Sequence, residues 1–305
     1  MAIWDFRYLK DSDNQIKYAQ ISAIDPDDPD IKMFVPNFPV QNMAFLPANK
    51  PAKVRNRVGT TNGVVKIHFS FPAAITADLL ALVGHNFSSD ATITVYGGSS
   101  FDPATSLGTI TWREGTMFKL WSSGQSYKYF KLEIDDPANP YGDFQIGYAV
   151  IGSTTSSGVG YGDYSLSKTK NEADLTTESG TRVGGRTFQR EAIDLAFPNR
   201  SLSDFNTIKS LFDDCVGSKE RLFVIPNSDR NDGFFGTFMA DSINKRYVMY
   251  DVVSTQVSFL EENAGICADF VFPIIRGGEP LAPEWVRSRA STAYYKNANL
   301  PRCKI

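Results

Sequence analysis

Period-two alternation of apolar and polar residues is the feature that most restricts how this chain can fold. In VVKIHFSF (64–71) the apolar side chains Val65, Ile67 and Phe69 alternate with Lys66 and His68. Successive side chains of an extended strand point to opposite faces, so this pattern predicts a strand with one buried face. The same pattern predicts three further strands, at 91–97, 128–134 and 144–152.

Turn sequences separate these predicted strands, and no helical pattern lies between them. GHNFSSD, YGGSSFDP and DDPANPYGD are rich in Gly, Pro, Asn, Asp and Ser, the residues that tight turns favour. Short strands at this spacing predict an antiparallel sandwich over residues 41–152.

The segments around this sandwich lack a regular pattern. Residues 24–40 are rich in proline, which excludes a long helix or a central strand, so residues 1–40 are expected to be an extended N-terminal arm. Residues 153–180 begin with STTSSGVGYGDYSLS, a composition typical of a linker between domains. Residues 277–305 are irregular and are expected to form a C-terminal tail.

A second β-rich domain with one short helix is predicted over residues 181–276. The helix is placed at 202–216, because Ser201 and Asp204 have capping-box spacing and one apolar stripe follows, made of Phe205, Ile208, Phe212 and Cys215. Gly217 supplies a stop. The predicted strands are 187–197, 221–226, 234–240 and 246–262. The expected fold class is therefore mainly β, with two β-sandwich or jelly-roll-type domains, an extended arm and a tail.

Composition and charge narrow the function classes. Lys and Arg number 31 against 34 Asp and Glu, without long blocks of one sign, which argues against nucleic acid as a partner. No apolar run is long enough to insert into a membrane, and the N-terminus does not resemble a secretory signal, so folding in a cytoplasm is expected. The three cysteines (Cys215, Cys267, Cys303) form no CxxC pair, so a zinc or disulfide framework is not expected. The pattern leaves a single disulfide between two of them as an alternative.

His85 is the residue that most invites a catalytic interpretation. A Ser–His–Asp arrangement needs a nucleophile and an orienting carboxylate within reach, and the near neighbours of His85 along a turn rarely meet that need. Gly84 and Asn86 both tolerate unusual backbone angles. We therefore interpret Gly84, His85 and Asn86 as a structural corner and expect no catalytic residues and no cofactor.

Two binding sites are weighed against ordinary structural roles. Asp135, Asp136 and Asp143 are candidate metal ligands, because Ca²⁺ prefers clustered oxygen ligands, but tight turns need the same residue types, so no metal is the main expectation. Trp112, Trp121 and Tyr141 are a candidate glycan platform, since sugar sites use aromatic rings with polar neighbours, yet cores and interfaces use aromatic residues too.

The strand and turn motifs also carry a resemblance to a known family. An apolar strand ends in the corner Val83–Asn86, an ITVYG strand follows, and YKYFKLEI leads to the turn Asp136–Gly142 and a strand ending in IG. In these features residues 40–152 resemble the discoidin-like jelly-roll modules of tailed-bacteriophage structural proteins. In the second half, SLFDDCVGS, RLFVIPNSD, FGTF and VSFLEE are similar to distal-tail proteins of phages. The domain order differs from many distal-tail proteins, because here the jelly-roll comes first.

The resemblance implies a structural component of a virion tail or baseplate, not an enzyme, made in the bacterial host cytoplasm. Its implied partners are copies of itself in a ring, with a hexamer as the candidate, together with tail tube and tail-tip hub proteins. If the predicted strand 246–262 lies at a sheet edge, assembly would cover its unpaired backbone groups. The alternatives are a carbohydrate-binding module for a host surface glycan and a polysaccharide hydrolase, for which no pair of carboxylates stands out.

Overall fold

The computed structural model describes residues 4–24, 40–44, 52–55, 64–139, 143–172, 175–176, 182–183, 187–218, 220–227, 230–239 and 242–261. In chain order its strands and helix are β1 Trp4–Lys10, β2 Gln20–Ile24, β3 Ala52–Arg55, β4 Val65–His85, β5 Thr92–Gly98, β6 Thr105–Ile110, β7 Thr116–Asp135, β8 Asp143–Gly152, β9 Thr155–Tyr161, β10 Asp163–Glu172, β11 Leu175–Thr176, β12 Arg182–Val183, β13 Thr187–Ser201, α1 Leu202–Ser218, β14 Leu222–Asn227, β15 Asp232–Phe238, β16 Arg246–Met249 and β17 Val252–Glu261. Short 3-10 helices occupy Asp11–Asp13, Gln15–Tyr18 and Val40–Ala44.

The fold is mainly β, as predicted, with two large antiparallel sheets. The first sheet has the order β3-β8-β4-β7-β5-β6, with β2 also paired to β4, and it forms the jelly-roll unit. All four strands predicted from alternation are present in it. Strands β4 and β7 are much longer than predicted, at 21 and 20 residues, and they pair with each other on both sides of two register shifts.

In both β4 and β7, the residues that face the jelly-roll core change parity midway along the strand. Their pairing register shifts between Ser70 and Ile75 and again between Ala77 and Leu79. Before the shifts the odd-numbered residues of β4, such as Ile67, point into the jelly-roll core, and after them even-numbered residues such as Leu82 do. Extra residues in a bulge change which side chains face a given side of the sheet, so these irregularities give the two halves of β4 opposite parity.

The second sheet has the order β10-β13-β17-β15-β14-β1-β9, with β16 also paired to β17, and it forms the second unit together with α1. The capping box of α1 is present, since Asp204 N–H donates to Ser201 Oγ at 3.1 Å and Ser201 N–H to Asp204 Oδ2 at 3.4 Å. The predicted apolar stripe of α1 is buried, and Leu211 joins it. The helix is confirmed, and it ends at Ser218, two residues after the predicted end.

Two predicted irregular segments differ from the structure. The N-terminal arm predicted over 1–40 contains β1, which lies between β14 and β9, and β2, which pairs with β4. The linker predicted over 153–180 contains β9 and β10, both members of the second sheet. Val159 and Tyr161 are buried on one face of β9, and its Ser and Gly residues leave the other face polar. A Ser- and Gly-rich composition that is typical of a linker therefore also suits this half-buried strand.

The long strand predicted over 246–262 is divided by a turn. Tyr250 and Asp251 connect β16 to β17, and Asp251 has a φ of 57°, a left-handed conformation that aspartate tolerates better than most residues. Strand β17 is not an edge strand, because it pairs with β13 on one side and with β15 and β16 on the other. The predicted tail 277–305 and the proline-rich residues 25–39 lie outside the described residues.

The two units share a hydrophobic core. Leu79, Ala81 and Val83 of β4 pack with Phe223 and other residues of the second sheet, namely Leu9, Ile225 and Phe235. The rings of Phe118 and Phe223 meet edge to face at 5.6 Å between centroids. Burying a large apolar side chain stabilises a fold by about 1.5–3 kcal/mol, so this contact joins the units firmly.

Polar contacts frame the same junction. Arg113 donates to Glu191 Oε2 at 2.8 Å and to the carbonyl oxygen of Gly233 at 2.7 Å. Arg7 donates to Asp78 Oδ2 at 2.8 Å. No helix in the described part of the chain combines the length and apolar content needed to span a membrane.

Candidate functional site

The predicted corner is a closed network of backbone contacts. Gly84 has a φ of 63°, a region that favours glycine. The His85 ring is buried; its Nε2–H donates to the Arg113 carbonyl oxygen at 2.9 Å, and its Nδ1 accepts from the Phe87 N–H at 3.3 Å. Asn86 Oδ1 accepts from the Gln145 N–H at 2.7 Å.

These contacts determine the chemistry available to His85. Burial lowers the pKa of His85 to about 4, so the ring is neutral near pH 7. Both ring nitrogens are engaged by backbone groups, and neither is directed at a hydroxyl or thiol nucleophile among these contacts. The contact from His85 to Arg113 ties the end of β4 to the loop after β6.

Of the metal candidates, the structure describes the side chains of Asp135 and Asp136. Asp136 is buried and accepts hydrogen bonds from the Ser88 N–H and from Asn139 Nδ2–H, both at 2.9 Å, whereas Asp135 is exposed. The side chain of Asp143 lies outside the described residues. In the described ranges, no group of three or more His, Cys, Asp and Glu residues is placed to hold a metal ion. The contacts of Asp136 instead organise two adjoining loops.

Of the predicted glycan platform, the structure describes Trp112 and Trp121. Trp121 is only 7% exposed, and its Nε1–H donates to the Leu107 carbonyl oxygen at 2.8 Å inside the jelly-roll core. Trp112 is 38% exposed, and its Nε1–H donates to the Phe87 carbonyl oxygen at 3.2 Å. Tyr141 lies outside the described residues. Trp121 therefore serves the core, and of the two described members of the platform Trp112 is the accessible one.

A different aromatic and charged group covers the first half of β4. We call it the Phe101 cluster; it consists of Lys66, His68, Phe101, Asp102, Tyr129, Lys131 and Glu133. Strand pairing builds its base, because His68 lies opposite Lys131, which lies opposite Tyr96 on the next strand. The loop between β5 and β6 then lays Phe101 over His68, with ring centroids 4.8 Å apart and planes within 14°.

Ion pairs fix the polar part of the cluster. Lys131 Nζ lies 2.7 Å from Asp102 Oδ1 and 3.0 Å from Glu133 Oε1. The hydrogen bond from Lys131 holds the pKa of Asp102 below its ordinary value, and burial lowers the pKa of His68. Asp102 is thus a fixed carboxylate, and His68 is a neutral support beneath the Phe101 ring.

The cluster leaves ligand-binding groups accessible. Phe101 is 47% exposed although one of its faces rests on His68. The Asp102 side chain is 58% exposed beside it. An open aromatic face next to a fixed carboxylate can bind a flat ligand that is apolar on one side and carries hydroxyl groups at its rim.

The local sequence does not predict the Phe101 cluster, because its members belong to separate segments. Alternation correctly assigned Lys66, His68 and Lys131 to polar strand faces. The segment YGGSSFDP was interpreted only as a turn, and nothing local shows that its Phe101 and Asp102 fold back over the sheet. A Phe–Asp pair inside a Gly- and Ser-rich turn was the available signal.

No protein-family model and no curated protein matches the sequence. Among solved structures, a chitosan-binding module of a chitosanase/glucanase from Paenibacillus sp. IK-5 has 14% identity and a TM-score of 0.36, covering 45% of this chain and 97% of the module. A family 32 carbohydrate-binding module of C. perfringens NanJ, solved with galactose, has 11% identity and a TM-score of 0.37, covering 47% and 98%. A Streptococcus pneumoniae fucose-binding module has 7% identity and a TM-score of 0.34, covering 47% and 97%. By their names these three structures are sugar-binding modules, and their identities and TM-scores are too low to transfer a ligand to this chain.

Proposed function

We propose that the protein is a non-catalytic glycan-binding protein whose jelly-roll unit binds a neutral sugar at the Phe101 cluster. The observation that supports this most is the Phe101 ring, held by His68 yet 47% exposed beside Asp102. A pyranose has a face of C–H groups that packs on an aromatic ring and a rim of hydroxyls that needs fixed polar partners. The cluster offers both.

The charges of the cluster favour a neutral ligand. Asp102 and Glu133 are balanced by Lys66 and Lys131, while the lowered pKa of His68 keeps that ring neutral near pH 7. The most exposed charge of the four is the Asp102 carboxylate, with 58% of its side chain accessible. A carboxylated sugar stacked on Phe101 would bring like charges together, which is unfavourable.

Calorimetric titration of the full-length protein with three oligosaccharides tests the proposal: a neutral galacto-oligosaccharide, a cationic chitosan oligomer and anionic sialyllactose. Because the exposed Asp102 carboxylate opposes a negative charge, we expect the neutral sugar to bind more tightly than sialyllactose. Phe101→Ala should weaken that binding at least about tenfold, which corresponds to the loss of one aromatic contact of roughly 1.4 kcal/mol.

Trp112→Ala is the matched control, because Trp112 is the accessible aromatic of the platform predicted from sequence. It should leave the affinity unchanged. Loss of binding in Trp112→Ala with normal binding in Phe101→Ala would move the site to the loop end of the sandwich. No binding of any of the three sugars would remove the proposal.

A structural subunit of a phage tail or baseplate is a second candidate function. The observation that favours it is a run of exposed apolar residues on the hairpin β16–β17, a surface suited to protein contacts. Quantitative mass spectrometry of purified phage particles from a host carrying this gene tests it. Stoichiometric amounts in the particle are expected, and absence of the chain from particles would exclude the role.

A further inference from the structure

His68 lies beneath the Phe101 ring, and its two ring nitrogens are in different surroundings. Its side chain is 5% exposed, and Nε2 lies 3.5 Å from Asp102 Oδ1. An ionised carboxylate can only accept a hydrogen bond, so the neutral ring carries its hydrogen on Nε2. The other nitrogen, Nδ1, is buried and has no hydrogen-bond partner within the described part of the chain.

A second proton on His68 would go to Nδ1, where the closed cluster provides no acceptor. A buried N–H group without an acceptor is unfavourable, and more so when it carries charge. The new charge would also compete with Lys131, whose Nζ lies 2.7 Å from the same Asp102 oxygen. The closed arrangement therefore fits the neutral ring and does not fit the protonated one.

The surrounding charges act on His68 in both directions. The titratable groups around His68 and Phe101 are Lys66 on β4, Lys131, Glu133 and Tyr129 on β7, and Asp102 on the loop after β5. On the other side of the strand, His68 pairs with Ser22 of β2, which carries no charge. Burial is the main cause that lowers the pKa of His68; the two lysines add to it, and the Asp102 carboxylate opposes them.

The segment over His68 can separate from the sheet without unpairing a strand. Residues 99–102 are exposed and lie outside the pairing of β5 with β6. On one side of them Gly98 pairs with β7, and on the other side Pro103 is buried. Between these two anchors, the Phe101 stack and the ion pairs of Asp102 hold the segment on the sheet.

We propose that protonation of His68 releases residues 99–102 from the sheet and thereby releases a sugar bound on Phe101. The inference rests on the proposed function, since it concerns the regulation of the same site. The sugar needs the closed cluster, and the proton favours the open one. Each therefore weakens the binding of the other.

The direction of the pH dependence follows from the two states. In the open state His68 is in contact with water and has the ordinary pKa of a histidine, about 6.5, whereas burial lowers this pKa in the closed state. As the pH falls, the open state gains the proton first, so acid shifts the equilibrium towards it. Asp102 keeps its charge in weak acid, because the hydrogen bond from Lys131 holds its pKa below the ordinary value.

An NMR titration from pH 7.5 to pH 5 tests the release without any sugar, on the full-length protein labelled with ¹³C in histidine and phenylalanine. His68 should take up a proton in this range, and the Phe101 ring signals should leave their stacked positions in parallel. Spectra of His85→Gln and Phe101→Ala assign the signals. A protonated His68 with unchanged Phe101 signals would refute the release, and so would a His68 that stays neutral down to pH 5.

Calorimetric titration with the neutral galacto-oligosaccharide at pH 7.5 and pH 5 tests the consequence for binding. The affinity of the wild type should be at least about threefold lower at pH 5. In His68→Phe it should be the same at both pH values, because phenylalanine keeps a ring beneath Phe101 and takes up no proton. His68→Gln, which has no ring, should also lack the drop. His85→Gln is the matched control, since it removes the other histidine and should retain the drop.

The release and the sugar site fail in different ways. Absence of binding at pH 7.5 would remove the sugar site, and the NMR titration would decide separately whether His68 releases Phe101. Equal wild-type affinities at both pH values would overturn the release and leave the sugar site standing. A drop that persists in both His68→Phe and His68→Gln would assign the pH dependence to another group and would also overturn the release.

Discussion

The two halves of the β4–β7 pair use the same strands but are covered in different ways. Over the first half, Lys66 and His68 face a short loop that brings Phe101 and Asp102. Over the second half, Leu79, Ala81 and Val83 face the sheet of the other unit. The polar cover leaves an accessible aromatic ring, and the apolar cover makes a permanent joint. One strand pair thus carries an exposed aromatic ring at one end and a buried joint between the units at the other.

Among substitutions that separate the two halves, removal of a buried ring from the joint should lower the free energy of unfolding most. Phe223→Ala deletes a fully buried side chain that contacts Phe118, and we expect the free energy of unfolding to fall by about 3–5 kcal/mol. Phe101→Ala, on the polar half, should cost less than about 1 kcal/mol because Phe101 is already half exposed. Urea denaturation measures both, and equal losses would contradict the distinction between the halves.

The two histidines of β4 should make the free energy of unfolding depend on pH, to a different extent in each half. The pKa of His85 is lowered to about 4 from 6.5 by burial, so only the unfolded state gains this proton as the pH falls from 6.5 towards 4. Acidification over that range should therefore destabilise the wild type by roughly 3 kcal/mol more than His85→Gln. Denaturation at a series of pH values for both proteins measures the difference.

His68 should show the same sign with a smaller effect. Burial lowers its pKa, but the hydrogen bond that His68 Nε2–H donates to the Asp102 carboxylate opposes the shift. His68→Gln should therefore remove less of the acid sensitivity than His85→Gln. A larger effect at His68 would mean that the polar half is more tightly closed than its exposed Phe101 indicates.

A substitution of Asp78, at the boundary between the halves, should lower the free energy of unfolding by an intermediate amount. Asp78 accepts from Arg7, from the Thr154 N–H at 2.7 Å and from the Thr154 hydroxyl at 3.0 Å. Asp78→Asn turns one of these acceptors into a donor, and we expect a loss of about 1–3 kcal/mol by urea denaturation. Asp90→Asn, at an exposed position, is the control and should change stability by less than about 0.5 kcal/mol.

The smallest effect is expected at Lys66. Its Nζ lies 4.0 Å from Asp102 and 3.8 Å from Glu133, whereas Lys131 makes the short contacts to both carboxylates. Lys66→Gln should therefore change the free energy of unfolding by less than about 0.5 kcal/mol, measured by urea denaturation. A loss above 1 kcal/mol would show that the polar half depends on its longer ion pairs.

Local patterns were sufficient to predict the strands and the helix. Alternation located parts of β4, β5, β7 and β8, and the Ser201 capping box located α1, because both signals depend on near neighbours. LALV in the second half of β4 has no alternation, since both of its faces are buried, and sequence alone gives no sign of what covers the outer one.

Long-range relations were not predictable in the same way. The pairing of β1 with β14 joins the start of the chain to its later part, and the polar composition of β9 concealed a strand. The same limit applies to the candidate site. Phe101 and His68 belong to different predicted elements, and only the tertiary fold stacks their rings.

The position of β1 determines when the second unit can be completed during synthesis. Arg7 pairs with Ile225, so β1 leaves the ribosome early but gains that partner only after the whole jelly-roll has been translated. Contacts so distant in sequence slow folding and leave hydrophobic surface open in the interim. A nascent chain would therefore hold β1 without this partner until Leu222–Asn227 have been translated, which makes this strand a natural place for a chaperone to bind.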